Sequence, residues 1–273
     1  MQPPTAKLTE LPFCAIDLET TGINPLLHRI VEVAIIRFNL VSGEESFSSL
    51  VNPGVRMPED AFGIHGISDE MVRGAPAVGD ILDEIEGFIG GSILIAHCAS
   101  FDLSFLGSAF RRSGRVVPPM VGVDTVRMSR RAYRGLPNYR LETLCGYLGI
   151  DILHHRAYPD ALACMRLFTD IINREDPEGS WTVNELRDYH GPFERSRMTR
   201  KEGRMRPRSA TVAGLRPGKR ARITYADRSG ARTVRDIEPR EFITMEGAGY
   251  LLAYCYLRED VRYFRLDRIV SID

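Results

Sequence analysis

The stretch Phe13-Cys14-Ala15-Ile16-Asp17-Leu18-Glu19-Thr20-Thr21-Gly22 sets an apolar run directly against two carboxylates. On a strand, side chains two apart share a face, so Asp17 and Glu19 project together while Leu18 points away. Two acids held that close repel each other unless a cation lies between them. An isolated D-x-E is also an ordinary strand end with solvated acids. The pair therefore gains meaning only if the rest of the chain supplies further ligands.

Outward from this run, residues 28–38 are rich in β-branched side chains and read as a second strand, antiparallel to the first. Residues 47–51 give a third, closed by Asn52-Pro53-Gly54. Past Pro76, the apolar residues Val78, Ile81, Leu82, Ile85, Phe88 and Ile89 fall at three- and four-residue steps, the spacing of an amphipathic helix. Residues 92–97 form another apolar strand that runs into Asp102 at a helix start, with Leu103, Leu106, Ala109 and Phe110 as its stripe. A fifth strand at 121–125 precedes helical patterns at 126–134, 141–148 and 158–172. Meandering strands followed by strands alternating with helices imply an α/β fold with a mixed sheet covered by helices.

Beyond residue 174 the apolar period fades, and 175–207 reads as a basic linker with a short helix possible at 181–190. Five short strands are then expected at 221–225, 231–237, 242–245, 250–257 and 261–272, which suggests a small all-β barrel over 208–273.

Composition narrows the class. The chain has 273 residues, 44% hydrophobic and 26% charged, enough for a real core and more than one typical domain. No window approaches the roughly 18 apolar residues of a membrane span, so a soluble, cytoplasmic protein without a membrane partner is expected. The five cysteines are odd in number, widely spaced and never in C-x-x-C form, which argues against a disulfide framework or zinc knuckle. The formal net charge is zero, yet residues 195–222 carry eleven Lys and Arg against Glu202 alone, a local +10. Such a block commonly binds polyanions, although self-repulsion in a solvated linker also accounts for it.

Two further acids stand out by position. Asp102 lies at a helix start just past a strand, and Asp160 lies in the first turn of a helix, five residues after His155. Singly, each reads as a helix N-terminal acid favoured by the dipole. Together with Asp17 and Glu19 they outline four carboxylates and a histidine at the rim of one sheet. An all-oxygen set suits Mg²⁺ or Mn²⁺, whereas zinc recruits nitrogen or sulfur.

These residues fall in motifs. I-D-L-E-T-T-G at 16–22, A-H-C-A-S-F-D-L-S-F-L at 96–106 and H-R-A-Y-P-D-A at 155–161 resemble, in order, the three motifs of DnaQ-like 3′–5′ exonucleases of the DEDDh type. The likeness extends to A-F-G-I-H-G-I-S-D-E-M at 61–71 and covers about 11–173, with Cys98 where such proteins usually carry asparagine. The resemblance implies an RNase H-like exonuclease domain over 1–174. It implies two divalent metal ions, about 4 Å apart, that activate a water and stabilise the leaving oxygen of a phosphodiester displacement. Asp17 would bridge both ions, Glu19 and Asp160 would complete one site, and Asp102 would help hold the other. His155, rather than its neighbour His154, fits the H-x-A-x-x-D spacing and would be the general base. Leu18, Thr20 and His65 would contact the terminal nucleotide.

The stretch I-E-P-R-E-F-I-T-M-E-G-A-G-Y-L-L-A-Y-C-Y-L-R-E-D-V-R-Y-F-R-L-D-R-I at 237–269 resembles a WYL domain, a small Sm-like or SH3-like barrel, with Gly249 in place of the tryptophan. That likeness implies a module sensing a ligand or nucleic acid, with Arg258, Arg262, Arg265 and Arg268 as candidate contacts. Strand alternation puts Arg262 on one face with Phe264 and Leu266, and Arg265 on the other; Arg268 pairs with Asp267 or caps the barrel in the structural alternative.

The leading expectation is a metal-dependent exonuclease acting on single-stranded or frayed 3′ ends, with the basic tail guiding nucleic acid. A proofreading subunit docked on a DNA polymerase and a non-catalytic sensor built on an exonuclease fold are the alternatives.

Overall fold

The computed structural model describes residues 2–41, 43–151, 155–196, 212, 214–227, 230–245, 248–257 and 260–272. The chain divides into two units, Met1–Arg197 and Met198–Asp273.

The first unit is built on a six-stranded mixed sheet. The opening run forms β1 (Phe13–Thr20), paired antiparallel with β2 (Ile30–Phe38), which pairs in turn with β3 (Glu44–Leu50). On its other side β1 pairs parallel with β4 (Ile93–Ala96), β4 pairs parallel with β5 (Val121–Asp124), and β6 (Glu194–Arg195) closes the edge antiparallel to β5. The order β3-β2-β1-β4-β5-β6 contains the five strands of the mixed sheet expected from the sequence, with β6 added at its edge.

Eight helices cover it among the described residues: α1 (Glu59–His65), α2 (Asp69–Val72), α3 (Leu82–Ile89), α4 (Ala99–Arg112), α5 (Thr125–Ala132), α6 (Leu141–Leu148), α7 (Ala157–Glu175) and α8 (Val183–His190). Strand alternation decides which helices meet which side chains. Phe13 and Ala15 of β1 join Ala34 and Ile36 of β2 under Ala157, Ala161, Leu167 and Phe168 of α7. Cys14, Ile16 and Leu18 face the opposite way, into a second core with α3 and α4. Asp17 and Glu19 therefore continue the face that packs on α7, which carries Asp160.

The segment read as linker differs. Val183, Leu186 and Tyr189 of α8 are buried in the α7 core, and Glu194–Arg195 adds a strand, so packed chain of the first unit runs past 174 to Ser196. Thr182 caps α8, and Glu185 returns a bond to the Thr182 N–H, so the helix start was written locally. Of the five cysteines, all are free and all but Cys98 are buried.

The second unit is a five-stranded antiparallel sheet in the order β10-β9-β8-β7-β11. Its strands are β7 (Ala221–Ala226), β8 (Arg232–Met245), β9 (Ala248–Cys255), β10 (Asp260–Arg265) and β11 (Ile269–Ile272). The strands expected at 231–237 and 242–245 are one, β8, with a register shift between Pro239 and Glu241. A bulge is where a strand tolerates proline, and it bends the strand without ending it. The strand expected at 261–272 is instead divided by a 3-10 turn, Leu266–Arg268. Ile223, Ile237, Leu251, Ala253, Cys255 and Phe264 form this unit's core.

Candidate active site

Carboxyl oxygens of Asp17, Glu19 and Asp160 lie within 4.8 Å of one another. Asp17 and Glu19 end β1, and Asp160 lies one turn into α7. Asp17 and Glu19 keep partial exposure, whereas Asp160 is 7% exposed. Asp102, in the first turn of α4, is 3% exposed and close enough for its charge to act on Asp17. Its helix can approach because β5 carries Gly122: a Cβ there would lie 2.6 Å from a Leu103 methyl.

Crowding governs the electrostatics. Burial, then the charges of Asp102, Asp160, Glu19 and Glu32, hold Asp17 well above the ordinary carboxylate range. Burial pushes Asp102 up in the same way, partly offset by hydrogen bonds from backbone N–H groups, that of Leu18 among them. Glu19 is pushed up to about 7 by burial, Asp160 and Glu32, against the pull of Arg156. Acids arranged in this way favour either protonation or a cation among them. Their donor set is all oxygen, which fits Mg²⁺ or Mn²⁺.

The other expected residues are distributed less evenly. His155 has φ +66°, and its backbone N–H donates to Asp160 Oδ2 at 2.8 Å. Its imidazole, half exposed, is 3.0 Å from Glu142 Oε1 through Nε2, so the ring is engaged by α6 rather than set among the carboxylates. His154 lies outside the described residues. Leu18 is buried in the α3–α4 core, and Thr20 is buried with its hydroxyl donating to the Gly22 carbonyl at 2.8 Å. His65 is buried; its Nδ1 accepts from the Ile67 N–H at 3.0 Å, which puts the ring proton on Nε2. That N–H lies toward the Thr20 carbonyl, and no described group completes a hydrogen bond to it.

Sequence reading missed Glu32 and Arg156. Glu32 stands opposite Glu19 in the β1–β2 register and is 4% exposed, with Arg156 paired to it. The signal was available: a single acid inside the apolar run Ile30–Phe38 has to find a cation or a set of donors.

In the second unit, Arg258 lies outside the described residues. Arg262 is exposed, and it pairs with Ala253 as Phe264 pairs with Leu251, the same-face relation expected; Leu266 falls past the strand in the 3-10 turn. Asp267 is bound by Arg265, through Nε at 2.9 Å and Nη2 at 2.8 Å, rather than by Arg268.

A six-stranded mixed sheet with acids converging from β1 and α7, and a buried acid of α4 beside them, defines a nuclease-type domain. The family model described as exonuclease (RNase_T) matches residues 14–168, more than half of the sequence, and the chain belongs to that family. A WYL domain matches residues 210–273. The DNA polymerase III subunit epsilon of Treponema pallidum is 33% identical over 175 residues, 63% of this chain and 81% of that protein. The PolC-type DNA polymerase III of Caldanaerobacter subterraneus subsp. tengcongensis is 32% identical over 175 residues, 64% of this chain. The chain spans only 12% of that relative's length. Among solved structures, exonuclease X in complex with 5′ overhanging duplex DNA superposes with a TM-score of 0.51 at 26% identity, covering 66% of this chain and 99% of that one. A structure of exonuclease I, at 17% identity and a TM-score of 0.56 over 90% of this chain and 55% of its own, shares the fold. Among the described residues, no helix is long and apolar enough to cross a membrane.

Proposed function

We propose that the chain is a divalent-metal-dependent 3′–5′ exonuclease of the DEDDh type. The observation that carries this reading is the convergence of Asp17, Glu19 and Asp160 within 4.8 Å, with Asp102 buried beside them. Those four carboxylates would hold two Mg²⁺ or Mn²⁺ ions. Bound there, the ions supply Lewis acidity and neutralise the charge that develops in phosphodiester hydrolysis.

The chain's own residues account for the rest. His155 is tied to Asp160 through its backbone N–H, and its imidazole takes the proton of the attacking water once it leaves Glu142. Leu18, Thr20 and His65 receive the terminal nucleotide. In support, His65 is buried with its Nε2–H toward the Thr20 carbonyl at the end of β1, the strand that carries Asp17 and Glu19. The basic stretch read as a linker and the WYL domain hold the nucleic acid, with Arg262, Arg265 and Arg268 as contacts and phosphate rather than base sequence as the feature bound.

DNA is the favoured substrate, because exonuclease X was solved with duplex DNA and the two named relatives belong to DNA polymerase III. The names of those relatives also favour a second reading, proofreading beside a polymerase. A nuclease assay on matched DNA and RNA oligomers, with Mg²⁺ and with EDTA, tests the leading reading. Degradation of DNA from the 3′ end, abolished by EDTA, is expected. Degradation that persists in EDTA contradicts it, and copurification of a polymerase supports the proofreading reading.

A further inference from the structure

Glu32 joins a strand to a helix across the acidic cluster. Its Oε1 accepts from Arg156 Nη2 at 2.6 Å, and its Oε2 accepts from Arg156 Nε at 3.0 Å and from the Ala157 N–H at 2.9 Å. Arg156 is the residue that caps α7, and Ala157 is the first residue within it. One buried carboxylate on β2 therefore satisfies an otherwise orphaned N–H of α7 and a guanidinium at the same helix start.

This tie lies in a particular place. β2 is paired in fixed register with β1, Asp17 opposite Ala34 and Glu19 opposite Glu32. Asp160 lies one turn into α7, and its carboxylate accepts from the His155 N–H just before the helix. The distance between the strand acids and the helix acid thus depends on how the start of α7 is held against β2. When Asp17, Glu19 and Asp160 are ionised, their mutual repulsion would act to part the helix start from the sheet, and the Glu32–Arg156 and Glu32–Ala157 bonds hold the two together. The fork of the guanidinium fixes direction as well as distance, which a lysine ammonium does not.

We infer that Glu32 and Arg156 are positioning residues that hold Asp160 and His155 in register with Asp17 and Glu19, so that the carboxylate cluster is preformed for divalent metal. The inference rests on the metal-site reading above. Neither residue touches the metal or the substrate in this account.

The test uses the full chain and two conservative variants, Arg156→Lys, which keeps the charge, and Glu32→Gln, which keeps the shape. Mn²⁺ binding is read directly by electron paramagnetic resonance, independently of turnover, alongside kcat, KM for a 3′-labelled oligonucleotide and thermal melting. Loss of an outer support typically weakens metal binding by 10–100-fold, so Arg156→Lys should raise the Mn²⁺ Kd by about tenfold. Turnover at limiting Mn²⁺ should fall in parallel and return at saturating Mn²⁺, with KM for the oligonucleotide unchanged. If the wild-type chain binds Mn²⁺ while both variants stay within about twofold of it, the inference fails with the site intact. A lower melting temperature with unchanged Mn²⁺ affinity also overturns it, because the pair then serves stability alone. If the wild type itself binds no Mn²⁺, the site reading fails, and this inference with it.

Discussion

Glu19 shows how crowding at the residue scale becomes a measurable pH dependence. Its carboxyl is pushed from an ordinary value near 4.5 up to about 7 by burial, Asp160 and Glu32. A group whose folded value is raised contributes stability fully present below the unfolded value and lost as pH rises through the folded one. The metal-free protein should therefore lose stability as pH rises from about 4.5 to beyond 7, by on the order of 3 kcal/mol from this group. Melting in EDTA should show the wild type losing ground to Glu19→Gln as pH rises from 5 toward 8, and Mg²⁺ should restore most of the loss. A wild type that gains on Glu19→Gln over that range contradicts the account. Asp17 and Glu19 were legible as a pair from spacing alone, but the weight on Glu19 was not, because Glu32 and Asp160 reach it through register and packing.

At the scale of elements, the sequence read best where side-chain period and length agreed. β1, β2, α4, α6 and α7 fall within a few residues of their expected spans, each carrying a continuous apolar face. α1 was missed because its seven residues include Gly63 and bury only Ala61 and His65, too few for a helical stripe. α8 was seen but placed in a linker, since nothing local reports that Leu186 packs into the α7 core. The entry to α4 carries a different lesson. Cys98, where asparagine is usual in the resembling motif, caps that helix at φ +77°. Left-handed backbone costs most residues about 1–2 kcal/mol, and asparagine tolerates it better than cysteine. Cys98→Asn should therefore stabilise the protein by roughly 0.5–1 kcal/mol in urea titration. Destabilisation instead would mean that the exposed thiol makes a contact that the amide cannot.

For the whole molecule, charge divides along the chain. Residues 198–273 hold seventeen Lys and Arg against ten Asp and Glu, a net +7, while residues 1–197 carry −7. On the proposed function, an acidic nuclease site would gain little long-range attraction for phosphate, and the basic second part would supply it. Binding of a single-stranded oligonucleotide should weaken steeply with salt, by about 0.7 in the logarithmic slope per neutralised phosphate. Removing residues 205–273 should flatten that slope; an unchanged slope excludes the tail as a nucleic-acid contact.

The central claim is that Asp17 and Asp160 hold the metal for cleavage at 3′ ends. The most direct measurement follows 3′-labelled and 5′-labelled single strands with wild type, Asp17→Ala and Asp160→Ala in Mg²⁺, with melting curves as the check on folding. The account predicts early loss of the 3′ label with the wild type and no degradation with either folded variant. Undiminished 3′-end degradation by Asp17→Ala or Asp160→Ala would contradict it.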